Sequence, residues 1–190
     1  SYNGEKEFYS ASTIKGPYVV CLNQEIPSSK ESHASIMEKT IKISSNEDYA
    51  TLRKIYGGSV FEKWLSDAGC EWINAYEKYT DITPKALTQM WIKNYSYFSS
   101  GESNSSWCAS LFTSTKESFI SETLTSKYTV YSKAGWFSGW GYSRTQSDGG
   151  VVLKDSNPYI VIVLSNAYGR NDLLGNLVTA LDNIHSDFIN

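Results

Sequence analysis

The chain has 190 residues, a net charge of −3, and 41% hydrophobic against 19% charged residues. That is enough for one domain, residues 1–190, with a sizeable core. The lack of a basic excess excludes a phosphate-neutralising nucleic-acid binder, and no apolar run approaches the about 18 residues needed to span a bilayer.

No repeat or linker divides the sequence, and it opens on the polar run Ser1–Glu7 rather than on a signal peptide. Such a start reads as a segment of something longer, or as a mature product after processing. Cys21, Cys70 and Cys108 are too few for a disulfide framework and lack metal-ligand spacing. One disulfide plus a thiol and three thiols both remain open. Aromatic residues reach 14%, with 14 Tyr and 6 Trp, which fits either a ring-lined cleft or core and rim packing.

Residues 12–24 carry apolar side chains at helical spacing behind Ser12, a residue type that caps helices, with Gly16-Pro17 tolerated in the first turn. The Ser-rich stretch 25–34 reads as a loop. A short helix is expected over about 35–42, a break at Ser44-Ser45-Asn46, a helix over 47–56 ended by Gly57-Gly58, and another over 59–68 stopped by Gly69. Thr83-Pro84 opens a helix to about residue 98, and Ser114-x-x-Glu117 reads as a capping box for a helix over 115–124. Residues 127–137, 149–153 and 158–165 are rich in β-branched and aromatic residues. Gly139, Gly141 and the cluster Asp155–Pro158 supply turns between them, so three antiparallel strands are expected. Leu173, Leu174, Leu177, Val178, Leu181, Ile184 and Phe188 then mark an amphipathic C-terminal helix. The layout is α+β.

Three short motifs carry chemistry. In Ser12-Thr13-Ile14-Lys15 the two ends share a helix face, so a lysine with a lowered pKa can take the serine's proton and make it a nucleophile. A helix start also favours the negative charge that then develops. The bland reading is a capped helix with a solvated lysine. In Ser44-Ser45-Asn46, Ser44 can relay a proton to a leaving nitrogen while the Asn46 amide binds a substrate carbonyl and a lysine; a polar capping turn explains the same residues. In Lys133-Ala134-Gly135 the lysine holds negative charge and the small residues let a substrate lie along the strand. The Trp136 N–H can join that of Ser12 as an oxyanion hole.

The ordered triplet S-x-x-K, S-x-N and K-x-G resembles that of the penicillin-recognising serine enzymes, the class A β-lactamases and penicillin-binding proteins. EKEFYSASTIK is similar to the entry to their nucleophile helix, ISSNEDYATLRKIYGG to their S-D-N region, and DITPKALTQMW to the helix after their active-site loop. YSKAGW, SDGGVV and PYIVIVLSN resemble their last three strands.

That resemblance implies Ser12 as nucleophile, Lys15 as general base, Ser44, Asn46 and Lys133 as relay and binding groups, and Gly135 and Trp136 at the oxyanion. It implies no metal or organic cofactor, a β-lactam or cell-wall peptide as substrate, and an exported or cell-surface location. The chain departs from the family in four ways, one of them Ser45 in place of the usual Asp of S-D-N, a position where penicillin-binding proteins vary. The stretch 70–81 has no E-x-x-L-N glutamate to activate a deacylating water, and Glu71 and Glu77 lack its spacing. Ala134 stands where a hydroxyl residue is usual. Ser12 stands too near the start for the N-terminal helix and first two strands of that fold to precede it here, so they are expected to lie ahead of this segment, to come from another chain, or to be absent from a three-stranded sheet. A weak or inactive binding or sensing domain of the same fold is therefore the alternative. Arg144 is a candidate for a substrate carboxylate, and Trp136, Phe137, Trp140 and Tyr142 for the cleft wall; His33 and His185 match no motif.

Overall fold

A computed structural model of the protein describes residues 1–154 and 156–189, the side chains of Tyr142 and Ile189 excepted. The expected turn residue Asp155 and the cleft-wall side chain of Tyr142 lie outside the described residues. A two-residue strand β1 (Phe8–Tyr9) leads into a 3-10 turn (Ala11–Ile14) and helix α1 (Lys15–Glu25). Helices α2 (Ser28–Lys42), α3 (Asn46–Tyr56) and α4 (Ser59–Asp67) follow. The two-residue strand β2 (Asp81–Ile82) pairs antiparallel with β1. Then come α5 (Pro84–Phe98), α6 (Ser105–Ser110) and α7 (Phe119–Leu124). The chain ends with β3 (Thr129–Phe137), β4 (Thr145–Leu153), β5 (Tyr159–Val163) and helix α8 (Asn171–Ile189).

β3, β4 and β5 form an antiparallel meander in chain order, with Lys133 opposite Gly149 and Gly150 opposite Val161. Side chains alternate between its faces. One set, including Tyr131, Val151, Ile160 and Ile162, packs on the main core, whose centre is α1. The other, including Val130, Val152, Val161 and Val163, packs under α7 and α8 with Phe119, Leu124, Leu174 and Val178. Every residue of α1 from Lys15 to Asn23 is buried. The sheet is thus sandwiched between a helical layer built around α1 and a thinner layer of α7 and α8. Among the described residues no strand pairs with the outer edge of β5. Leu177, Ile184 and Phe188 of α8 are exposed beside that edge, so only Leu174, Val178 and Leu181 of the predicted stripe face the sheet.

Several expectations change in detail. Ser12 does not cap α1: it lies inside the 3-10 turn, and neither Ser10 nor Ile14 makes a side-chain cap bond. The stretch read as a loop over 25–34 is helical from Ser28, broken only at His33, whose φ of −138° interrupts α2. A tertiary contact supports that turn, since Ser29 Oγ donates to Leu22 O at 3.0 Å. The proposed capping box fails because Ser114 and Glu117 both take positive φ. The cap is Ser118, whose Oγ accepts from Ser121 N at 3.0 Å, and the helix begins at Phe119. The short helix α6 carried no sequence signal. All three cysteines are buried free thiols, which settles the open pairing.

α5 meets the sheet at Gly149. A Cβ there would lie 2.6 Å from Trp91 Nε1 and 2.9 Å from Ile162 Cδ1, and the indole, locked in the core, has no room to yield. Gly149→Ala is expected to cost about 1–3 kcal/mol through overpacking, read as a lower urea midpoint with an unchanged m-value.

Candidate active site

The site forms where α1, the turn before α3 and the free side of β3 meet. Lys15 is the first residue of the buried central helix, so its ammonium cannot reach bulk water. It donates instead to Ser44 O and to Asn46 Oδ1, both at 2.7 Å, with longer contacts to Ser45 O at 3.4 Å and Ser44 Oγ at 3.5 Å. Lys133 lies on the face of β3 that packs against α1 and is equally buried. It donates to Ser44 Oγ at 3.0 Å and to Ala134 O at 2.7 Å. Two lysines therefore converge on one three-residue turn, from 29 and 89 positions away.

The turn is shaped for this. Ser44 has φ +60°, left-handed backbone that a serine occupies only at a cost of about 1–3 kcal/mol. That twist turns both its carbonyl and its hydroxyl toward the lysines. Ser45 then caps α3 through Asp48 N at 3.2 Å, and Asn46 opens the helix. The capping and binding readings of this motif hold together, divided between neighbouring residues.

Ser12 lies in the turn that packs against β3. It is 8% exposed, and among the described residues its hydroxyl makes no hydrogen bond, to Lys15 or to any other group. The meeting of Ser12 and Lys15 that their shared helix face allows is therefore not made here: the lysine is turned to the 44–46 turn, which offers it two strong acceptors. Gly135 holds the Ser12 turn against β3. A Cβ at Gly135 would lie 2.6 Å from Thr13 N, 2.7 Å from Ser12 N and 2.8 Å from Ser10 O, so only glycine permits the approach. Ser132 N donates across the free side of β3 to Phe112 O. Alternation then aims the Trp136 N–H to that same side, where the Ser12 turn packs.

Behind the strand, Ser132 Oγ and Ser118 Oγ lie 2.7 Å apart, and Ser118 Oγ donates to the buried Asp148 carboxylate at 2.7 Å, which also accepts from Ile120 N at 3.1 Å. Burial pushes the Asp148 pKa up, while these donors and the Lys133 charge hold it back. Asp148 faces Ala134 across the strand pair, so the side of β3 away from Lys133 presents a methyl group and a carboxylate.

The remaining candidates separate. Glu71 and Glu77 are exposed, and Glu77 accepts from Asn74 Nδ2 instead of entering the site. Arg144 precedes β4, is exposed, and stands 5.9 Å from the Tyr168 ring. His33 bonds Tyr56 Oη and His185 stacks on Tyr159. Phe137 packs on Tyr9 at a centroid distance of 5.8 Å, and Trp136 lies 5.7 Å from Lys133 Nζ, while Trp140 is fully in solvent. One site residue escaped the sequence reading. Tyr79 Oη lies 2.9 Å from Asn46 Oδ1, and the ring flanks Lys15. A lone tyrosine in an irregular stretch gives no pattern to find.

Burial lowers the Lys15 pKa to about 8. For Lys133, burial first and the Lys15 charge second bring it to about 7. Between those values and the ordinary 10.5, the unfolded chain binds more protons at these lysines than the folded one, so they make stability rise with pH across that window. Urea unfolding of the wild type and of Lys15→Met at pH 7 and pH 9 is expected to show the difference shifting in the wild type's favour at pH 9.

A family model described as "Beta-lactamase enzyme family" matches residues 22–181, a stretch that contains the 44–46 turn, Tyr79 and Lys133 and begins after Lys15. The structure resembles a β-lactamase from Sphaerobacter thermophilus, with TM-score 0.79 and 14% identity over 95% of this chain and 84% of that one. It also resembles an ancestral class A β-lactamase, with TM-score 0.74 and 16% identity over 96% and 88%. A mutant of the chromosome-encoded β-lactamase of Vibrio parahaemolyticus gives TM-score 0.71 and 14% identity over 95% and 86%. No curated protein matches by sequence.

Proposed function

This chain belongs to the beta-lactamase enzyme family, a family of serine hydrolases, and on that premise we propose that it transfers acyl groups from β-lactam or cell-wall peptide amides to Ser12. The observation that carries the reading is the convergence of the two buried ammonium groups of Lys15 and Lys133 on Ser44 and Asn46, beside a serine with an unpartnered hydroxyl. A structural lysine is ordinarily solvated or ion-paired. These two are neither, since none of the ion pairs among the described residues includes them.

In this reading Ser12 Oγ attacks the carbonyl carbon and its proton passes to Lys15, whose lowered pKa leaves a usable base fraction near neutrality. The developing oxyanion takes hydrogen bonds from the amides of Ser12 and Trp136. Ser44 passes a proton to the departing nitrogen as the C–N bond breaks, with Lys133 behind it. Asn46 offers its amide nitrogen to a carbonyl of the substrate. An exported or cell-surface location belongs to the same proposal, because such substrates lie outside the cytoplasmic membrane. No helix among the described residues is long and apolar enough to cross a membrane.

Release is the weak step. No carboxylate from the stretch 70–81 reaches Lys15 or Asn46, so a water near the acyl carbonyl lacks a base. Ala134 offers no hydroxyl to a substrate carboxylate. Those features favour a long-lived acyl-enzyme, the behaviour of a penicillin-binding or sensing domain, over rapid antibiotic hydrolysis.

A fluorescent penicillin followed by intact mass over hours tests this. One adduct per chain, persisting well beyond its formation time and absent in Ser12→Ala, is expected; an unlabelled wild type would overturn the acyl-transfer reading. Gly135→Ala is expected to slow labelling at least tenfold, because its Cβ displaces the Ser12 turn from the strand and a 1 Å shift at a reacting centre costs about 10²-fold.

A further inference from the structure

A phenol stands beside Asn46 and Lys15. Tyr79 Oη lies 2.9 Å from Asn46 Oδ1, and Lys15 Nζ lies 2.7 Å from the same oxygen. A carbonyl oxygen only accepts, and burial holds the Tyr79 pKa up at about 12, so the phenol is protonated and donates. An ammonium can only donate as well. Turning the Asn46 amide over would set its NH2 against both donors. Two convergent hydrogen bonds therefore decide which end of the amide faces the lysine, and they leave Asn46 Nδ2 with no protein acceptor among the described residues. Asn46 is exposed, which leaves those two N–H groups accessible to a ligand.

Tyr79 is itself firmly held. The residue before it accepts at its carbonyl from Tyr49 Oη at 3.0 Å, and the carbonyl of the residue after it accepts from Ser10 N at 3.1 Å. The next two residues form β2 and pair with β1. Its ring packs at 5.6 Å from Tyr49 and 6.4 Å from Tyr9. Lys15 Nζ sits 5.6 Å from the Tyr49 ring and 5.8 Å from that of Tyr79. The charged or titratable groups facing Lys15 are thus Lys133 on β3, Tyr49 on α3 and Tyr79. Among the described residues no carboxylate pairs with it, and Asp148 acts on Lys133 from behind the strand.

We propose that Tyr79 is a positioning residue for acyl transfer, locking the Asn46 amide with Oδ1 on Lys15 and Nδ2 toward the substrate. The proposal rests on the reading that Ser12 is acylated. The phenol shares an acceptor with Lys15 and so weakens that acceptor's hold on the ammonium form. Removing the hydroxyl returns the full acceptor strength to Lys15, and its titration moves up. The amide, held by one bond instead of two, also meets the substrate carbonyl less often in the productive orientation.

Tyr79→Phe keeps the ring contacts and removes only the hydroxyl. NMR titration of lysine ε-carbons, with Lys15 assigned by its loss in Lys15→Met, is expected to show about a threefold tighter proton affinity at Lys15. The second-order constant for penicillin labelling near pH 7 is expected to fall about fivefold. The acid limb of its pH profile moves to higher pH, and the thermal unfolding midpoint stays close to wild type. A purely structural tyrosine would lower the unfolding midpoint and leave the pH profile in place. If wild type labels and Tyr79→Phe shows neither the titration shift nor the slower labelling, the proposal is overturned while the acyl-transfer reading stands. If wild type fails to label, that reading falls and takes the proposal with it.

Discussion

Two lysine ammonium groups buried without a carboxylate partner set the terms for the rest of this structure. Removing an unpaired cation from water costs several kcal/mol, and such a cost is tolerable only where oxygen acceptors replace the lost hydration. Here they come from Ser44 O, Ser44 Oγ, Asn46 Oδ1 and Ala134 O. The supply depends on Ser44 adopting a left-handed φ of +60°, which exposes a carbonyl and a hydroxyl to the same side. Backbone strain at one serine and burial at two lysines are therefore halves of one arrangement. The same desolvation that costs stability lowers both lysine pKa values toward neutrality, where an amine can exchange protons with a substrate.

The fold serves that arrangement by bringing three backbones close together. Gly135 lets β3 press against the Ser12 turn at a distance no side chain would allow. Alternation along β3 then divides its neighbours: Lys133 faces the helical layer, while Ser132 joins Ser118 and Asp148 on the far side. The buried Asp148 ties β4 to the start of α7 through Ser118 Oγ and Ile120 N, so the strand carrying Lys133 is braced from behind as well as from in front.

Much of the layout was legible because local chemistry dictated it. Thr83-Pro84 opened α5 with the expected cap to Ala86 N, Gly57 ended α3 with φ +67°, and β-branched runs became β3 to β5. The misreadings fall where tertiary contacts outweighed propensity. Ser28–Ser32 is polar enough for a loop, yet Ser29 is buried against Leu22 O and the segment coils as helix. Ser114 and Glu117 have the spacing of a capping box, but both take left-handed backbone, and the cap passed to Ser118, whose hydroxyl also serves Asp148.

Sequence alone carried the family resemblance, most of the larger helices and the three-stranded meander, and it singled out Ser12, Lys15, Ser44, Asn46, Lys133 and Gly135 as candidates, because short motifs and local propensities are properties of neighbouring residues. Tertiary structure decided what those residues touch. It turned Lys15 from Ser12 to the 44–46 turn, since a buried ammonium goes to the strongest acceptors within reach. It placed Tyr79 on Asn46 across 33 residues, and kept Glu71 and Glu77 at the surface. It left three cysteines unpaired and an apolar stripe of α8 uncovered beside β5. None of this is encoded at short range: each contact depends on how helices and strands distant in sequence pack, and packing is what determines which polar groups lose water and must find one another.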